Sequence, residues 1–196
     1  MPVLYIIAGP NGSGKTTYYL TALNKAFIDH QLPFINIDLI AKELGGYSTE
    51  NFIQAEMIYR EKVSSLISNG FDFMIESNLA KNTDYEWIGK MIKQGYEIVL
   101  FFLCTDDINI HIKKVQQRVI EGGHDIPVEI IIHRYKMAKT YLKGKLFLFK
   151  EIYFIDNSSD EAIIAAQLNE GRLEEHMKDM PGWVSDILFL FKKIKR

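Results

Sequence analysis

Short apolar runs alternate along this chain with longer stretches of helical spacing. Five runs, at residues 3–8, 33–37, 71–75, 97–103 and 152–155, have the length and the β-branched and aromatic content of strands. They read as continuous rather than alternating, which is the pattern of parallel strands buried on both faces. Between them, spacing and stop signals predict helices over 15–30, after Asp38, from Ser48 or Thr49 to Asn69-Gly70, and over 83–94, 107–121, 127–142, 158–167 and 181–195. On the long third helix, Phe52, Ile53, Met57, Val63, Leu66 and Ile67 are expected to share one apolar face. Strands alternating with helices predict an α/β fold with a five-stranded parallel sheet between two helical layers.

No repeat, low-complexity tract or linker divides the 196 residues, so residues 1–196 read as a single domain. Gly122-Gly123-His124 and Pro127 mark a small insertion, and a lid over about residues 119–133 is expected there. The formal charge of −2 offers no global basic field, which argues against nucleic acid as a partner. The lone Cys104 has no disulfide partner and lies beside an apolar run, so it reads as a buried core thiol in a reducing compartment. The first residues lack the basic lead of a signal peptide. The apolar runs fall short of the roughly 20 residues a membrane span needs, so the expected location is cytoplasmic, away from membranes.

The chemistry starts at Gly9-Pro10-Asn11-Gly12-Ser13-Gly14-Lys15-Thr16, which fits G-x-x-x-x-G-K-[ST] between a strand and a helix. In that context the backbone N–H groups of Gly9 to Gly14 turn inward toward phosphate oxygens, and the helix N-terminus at Lys15–Thr17 adds its dipole. Lys15 is placed for the β- and γ-phosphates of ATP, and the Thr16 hydroxyl is a hard ligand for Mg²⁺. The GTPase signature N-K-x-D is missing, since Asn24-Lys25-Ala26-Phe27 lacks the aspartate.

A kinase also needs an acid near its acceptor and cations over the transferring phosphoryl group. Asp38, at the carboxyl edge of the second strand, is placed to accept a hydroxyl proton, with an N-cap role as the alternative. Lys42, one turn on, serves to steady Asp38, to contact a substrate phosphate, or as a plain surface pair. Glu76 and Ser77 end the third strand, where Glu76 either holds a substrate hydroxyl or a magnesium-bound water or is a structural acid. Arg118 and Arg134 flank the lid and suit a planar, charge-dispersed phosphoryl group, with surface salt bridges as the alternative. His124 reads first as a turn or cap residue. Asp156-Asn157-Ser158 follows the last strand, with Asn157 either touching the adenine or capping a helix.

These stretches, taken in order, resemble the zeta-toxin family, in the branch often labelled predicted ABC-type ATPases. The resemblance is carried by residues 8–17, Asn36-Ile37-Asp38-Leu39-Ile40-Ala41, Glu76-Ser77-Asn78-Leu79, Arg118-Val119, Gly122-Gly123-His124-Asp125-Ile126-Pro127, Arg134-Tyr135 and Asp156-Asn157-Ser158. It spans about residues 3–160, and the Gly-Gly-His-x-Ile-Pro stretch is its narrowest marker. The resemblance implies a nucleoside-monophosphate-kinase-like P-loop fold and phosphoryl transfer from ATP with Mg²⁺. It implies Lys15 on the phosphates, Asp38 as base and Arg118 and Arg134 as lid arginines. The implied acceptor is UDP-N-acetylglucosamine, and the implied partner is an antitoxin protein. Two rivals stand beside it: a kinase for another sugar, nucleoside or nucleic-acid end, and a nucleotide-binding regulatory module without transfer.

Overall fold

The computed structural model describes residues 1–24, 29 and 31–194. The elements follow the order β1 (Val3–Ala8), α1 (Lys15–Asn24), β2 (Phe34–Ile35), α2 (Ile37–Glu43), α3 (Thr49–Ser68), β3 (Phe73–Ser77), α4 (Asn82–Lys93), β4 (Glu97–Cys104), α5 (Ile108–Ile120), α6 (Val128–Lys143), β5 (Glu151–Asp156), β6 (Ile163–Asn169), β7 (Arg172–Glu175) and α7 (Gly182–Ile194), with a 3₁₀ turn at Leu146–Leu148 before β5. The sheet order is β2-β3-β1-β4-β5-β6-β7. The first five strands are parallel, as expected, and the last two run antiparallel. β1 lies between β3 and β4, so Ile7 and Ala8 stand opposite Glu76 and Ser77. That register delivers the end of β3 to the loop that leaves β1.

The unbroken apolar strands are explained by burial on both sides. Leu4, Ile6, Phe73, Ile75, Leu100, Phe102, Ile152 and Phe154 face a core closed by α3, α4, α6 and α7. The alternate residues Ile7, Met74, Leu103 and Ile155 meet Tyr19 and Ala22 of α1 on the other face. Cys104 is part of the first core, and burial pushes its thiol up to about 12, so it is an inert packing residue. Among the described residues no helix is long and apolar enough to cross a membrane.

The departures are local and have physical causes. The region 158–167, read as a helix, contains the start of β6. Its Ala165-Ala166-Gln167-Leu168 run favours helix by propensity, yet it pairs with β5. Between β5 and β6, Phe154 pairs with Ala166 and Ile155 with Ile164, so Ala165 is the extra residue of a bulge. The bulge buries Ala165 and Ala166 together and erases the alternation that would have marked a strand. A two-residue loop, Glu170 and Gly171 with φ of 46° and 74°, turns β6 into β7, and Asn169 pairs with Arg172 across it.

Three boundaries also moved. β2 covers only Phe34–Ile35, because Asn36 leaves the sheet to cap α2; its side-chain oxygen accepts from Asp38 N at 2.8 Å and Leu39 N at 3.2 Å. The cap is therefore Asn36, and Asp38 lies in the first turn. β3 starts at Phe73 and continues through Glu76 and Ser77. On α3 the buried stripe runs through Phe52, Ala55, Tyr59, Val63 and Leu66, while Ile53 and Met57, one residue around the helix, stay 59% and 67% exposed. The expected α1 over 15–30 is seen to Asn24; residues 25–28 and 30 lie outside the described residues, as does Lys195 of the expected last helix.

Candidate active site

The loop between β1 and α1 wraps one side of a cavity of about 940 Å³. Close approach explains two of its glycines. A Cβ on Gly12 would lie 2.2 Å from the His111 carbonyl oxygen, and one on Gly14 would lie 2.3 Å from Asn157 Nδ2; both glycines have φ between 77° and 89°. Ser13 N donates to the Pro10 carbonyl at 3.1 Å, which closes the turn. The Ser13 side chain is fully buried beneath the loop and its hydroxyl meets no partner. Gly9 and Ser13 thus shape the cradle from below, whereas Asn11, Gly12, Gly14, Lys15, Thr16 and Thr17 line the cavity.

Lys15 is 6% exposed. Its ammonium donates to the Gly9 carbonyl at 2.9 Å and the Pro10 carbonyl at 3.2 Å, lies 3.4 Å from Asn78 Oδ1, and is 3.6 Å from Glu76 Oε1. Burial pulls its pKa down, and the carboxylates of Glu76 and Asp38 push it back up. Glu76 is the acidic hub of the site. Its Oε2 accepts from the Thr16 hydroxyl at 2.8 Å and from Asn36 Nδ2 at 2.7 Å. Asn36 therefore does two jobs, capping α2 with its oxygen and holding Glu76 with its nitrogen. Reading residues one at a time misses this, although an Asn two residues before an acid at a helix start is a visible cap signal.

Asp38 faces the same cavity from α2, together with Glu76, Ser77 and Asn78 from β3. Lys42 does not reach it: the side chain is exposed and lies outside the lining. Arg118 and Arg134, expected to flank a lid, both line the cavity. Arg118 Nη1 is 3.8 Å from Asp38 Oδ2, and its Nη2 donates to the His124 carbonyl at 2.8 Å. Arg134 Nη1 donates to Asn11 Oδ1 at 2.9 Å. His124 has a larger part than a turn residue: its ring lies 4.7 Å from Phe52 and 5.5 Å from Tyr47. That contact ties the segment 121–127 to α3, and burial lowers the His124 pKa.

On the opposite side of the cradle, Asn157 Nδ2 donates to the Ser13 carbonyl at 2.8 Å, and Lys114 Nζ donates to the Asn157 carbonyl at 3.1 Å. Asn157 is thus a brace for the loop as well as part of the lining. No site role was expected of Lys114 or His111, which on α5 read as members of an amphipathic helix. No helix follows Asn157, so its expected capping alternative falls away.

No protein-family model matches the chain. An uncharacterised protein of Haemophilus influenzae is 28% identical over 131 residues, 65% of this chain and 88% of that one. Solved structures agree in fold. The AvrRxo1-ORF1:-ORF2 structure with ATP superposes with a TM-score of 0.69 at 15% identity, covering 99% of this chain, which spans 63% of the length of that one. A structure from the PezAT chromosomal toxin–antitoxin system of Streptococcus pneumoniae gives 0.58 at 17% identity, covering 98% of this chain and 85% of that one. With its glycine-rich loop between β1 and α1 and its 2-3-1-4-5 parallel core, the chain has the fold of the zeta-toxin-like P-loop kinases.

Proposed function

We propose that this chain is an ATP- and Mg²⁺-dependent phosphotransferase that phosphorylates a hydroxyl group of a small molecule, with UDP-N-acetylglucosamine as the first acceptor to examine. The observation that carries the reading is convergence. Asp38 and Glu76, Arg118 and Arg134, and the phosphate loop come from five separate elements and line one cavity. A structural salt-bridge network does not need a glycine cradle, and a bare nucleotide-binding switch does not need two guanidiniums across from a carboxylate.

The residues fit the groups the reading requires. Gly12 and Gly14 leave room that a Cβ would fill, Lys15 is a buried cation, and the Thr16 hydroxyl with the Glu76 carboxylate forms a hard oxygen pair. Bound MgATP supplies the phosphoryl group and a divalent charge that offsets its oxygens. Lys15, now on the Gly9 and Pro10 carbonyls, would hold the phosphate oxygens, and Thr16, oriented by its hydrogen bond to Glu76, would hold the cation. Asp38 accepts the acceptor's hydroxyl proton. Arg118 and Arg134 would carry charge toward the transferring group, and the contact of His124 with Phe52 and Tyr47 holds the segment 121–127 beside them. The likeness to a structure solved with ATP supports the nucleotide.

The test is a mass-spectrometric screen for products in the presence of ATP and Mg²⁺, with uridine-diphosphate sugars first and other sugars and nucleosides next. An acceptor-dependent gain of one phosphoryl group, lost in Lys15→Ala, supports the proposal. Nucleotide binding with no acceptor-dependent product from any of these classes would leave a regulatory module as the better reading. An antitoxin-like protein partner in the cytoplasm is proposed on the likeness to a structure from a toxin–antitoxin system. Toxicity on expression, relieved by co-expressing an adjacent open reading frame, is its test.

A further inference from the structure

Asn11 of the phosphate loop is held from two lid-side helices at once. Its backbone carbonyl lies 3.0 Å from His111 Nδ1 on α5, and its side-chain oxygen accepts from Arg134 Nη1 on α6. A carbonyl can only accept, so Nδ1 carries the proton and Nε2 is bare. His111 is fully buried, and Nε2 meets no partner. The ring is held on its edge by Tyr135, 5.2 Å away at 68°, whose hydroxyl sits 2.9 Å and 2.8 Å from the carbonyls of Thr105 and Asp106. One residue along the loop, Gly12 rests directly on the backbone of His111. The phosphate loop is thus docked on this one residue by a side-chain bond and a backbone contact.

We infer that His111 is a positioning residue for phosphoryl transfer: by donating from Nδ1 to the Asn11 carbonyl it fixes the Asn11 peptide, and so sets where Asn11 Oδ1 seats the Arg134 guanidinium. The inference rests on the kinase reading above. An ordinary core histidine satisfies a stray carbonyl and nothing more. Here the satisfied carbonyl belongs to the residue whose own side chain holds a lid arginine. Asn11 is 7% exposed, so a carbonyl deprived of its donor has little water to turn to, and the peptide reorients to find a partner. Its side chain turns with it, and the seat of Arg134 is lost. The same peptide carries the Gly12 N–H, one of several cradle donors, whereas Lys15 and Thr16 lie beyond it, so the larger effect falls on the transferring phosphoryl group and the smaller on nucleotide capture.

The test uses the full-length protein and the variants His111→Leu, His111→Asn, His111→Gln, Arg134→Ala and the double variant His111→Leu/Arg134→Ala. The Asn amide nitrogen falls near the position of Nδ1, whereas the longer Gln carries its donor past it. His111→Leu and His111→Gln are expected to lower kcat about tenfold or more with KM for MgATP within about threefold, and His111→Asn to stay within about threefold of wild type. On an Arg134→Ala background His111→Leu should add less than about twofold, because the two residues act through one seat. Crystals of nucleotide-free His111→Leu or His111→Gln should show Arg134 released from Asn11. Should Asn and Gln variants behave alike, should the double variant multiply the two losses, or should Arg134 remain on Asn11 in the variant crystals, the inference is overturned. If His111→Leu does not fold, the Asn and Gln pair decides it. If wild type transfers no phosphoryl group to any acceptor, the kinase reading falls, while the crystals still decide what His111 holds.

Discussion

Arg118 Nη1 stands 3.8 Å from Asp38 Oδ2, and both side chains line the same cavity as the phosphate loop. Both side chains are more than a third exposed, so the pair adds little stability, and its meaning is positional. In the kinase reading proposed above, an arginine resting on Asp38 keeps a cation close to where a phosphoryl group would pass. Asp38→Asn preserves shape and removes the basic oxygen. It should lower kcat by about 10² to 10⁴ while MgATP affinity stays within about threefold. Steady-state kinetics beside calorimetric titration would separate the two. Equal losses in binding and turnover would count against Asp38 as the base.

Glu76 holds Thr16, Asn36 and Lys15 together, so its removal should be felt as a metal and loop defect. In Glu76→Ala the Thr16 hydroxyl loses its acceptor and the buried Lys15 ammonium loses a counter-charge. The concentration of Mg²⁺ giving half-maximal turnover should rise about 10- to 100-fold, as for other residues that orient a metal ligand. Titrating Mg²⁺ at fixed ATP measures this directly. Glu76→Gln should fall between wild type and Ala, because an amide oxygen can still accept one of the two hydrogen bonds.

What could be read from the chain depended on how local each feature is. The phosphate loop, Asp38, Glu76 and the two arginines belong to short motifs whose residue types are dictated by chemistry, and all of them meet. The expected parallel core held because continuous apolar runs leave few other arrangements. The 158–167 stretch misled because Ala165 forms a bulge, and a bulge destroys the periodicity that identifies a strand. The two-residue loop Glu170-Gly171 supplies a glycine but none of the strong hairpin pairs, so it did not announce the turn. His111 was invisible for another reason: its partner, Asn11, is 100 residues away, and nothing near either residue announces the pairing.

His111 also makes stability depend on pH. The free imidazole titrates near 6.5, and in the folded protein burial pushes it down to about 4. Between those values the unfolded chain takes up a proton that the native state refuses. This contribution is therefore complete above pH 6.5, is lost as the pH falls toward 4, and is flat below. The loss is roughly 3 kcal/mol across that window. Denaturant unfolding from pH 7.5 to 4 should show it as an excess slope over His111→Asn, which lacks the titrating ring. Parallel curves for the two proteins would show that the imidazole titrates alike in the native and unfolded states.

Gly123 provides a test of the lid that leaves the cradle untouched. Its N–H donates to the Arg118 carbonyl at 2.8 Å. A Cβ built on Gly123 would lie 2.5 Å from Arg118 Cγ and 2.8 Å from that same carbonyl oxygen. Both contacts are far inside van der Waals range, and one is to backbone that cannot swing aside. Gly123→Ala must therefore move Arg118, the end of α5, or both. Residues 121–123 lie at the surface or near it, so the strain is relieved locally and the melting temperature should fall by only a few degrees. Turnover should fall about tenfold or more, because a guanidinium displaced by about 1 Å no longer meets the developing charge. Gly122→Ala makes the control: nothing lies within 4 Å of its Cβ, but its φ of 81° strains an alanine there. It should destabilise the fold at least as much as Gly123→Ala while sparing kcat. The reverse ranking in turnover would mean that the position of Arg118 does not limit the reaction.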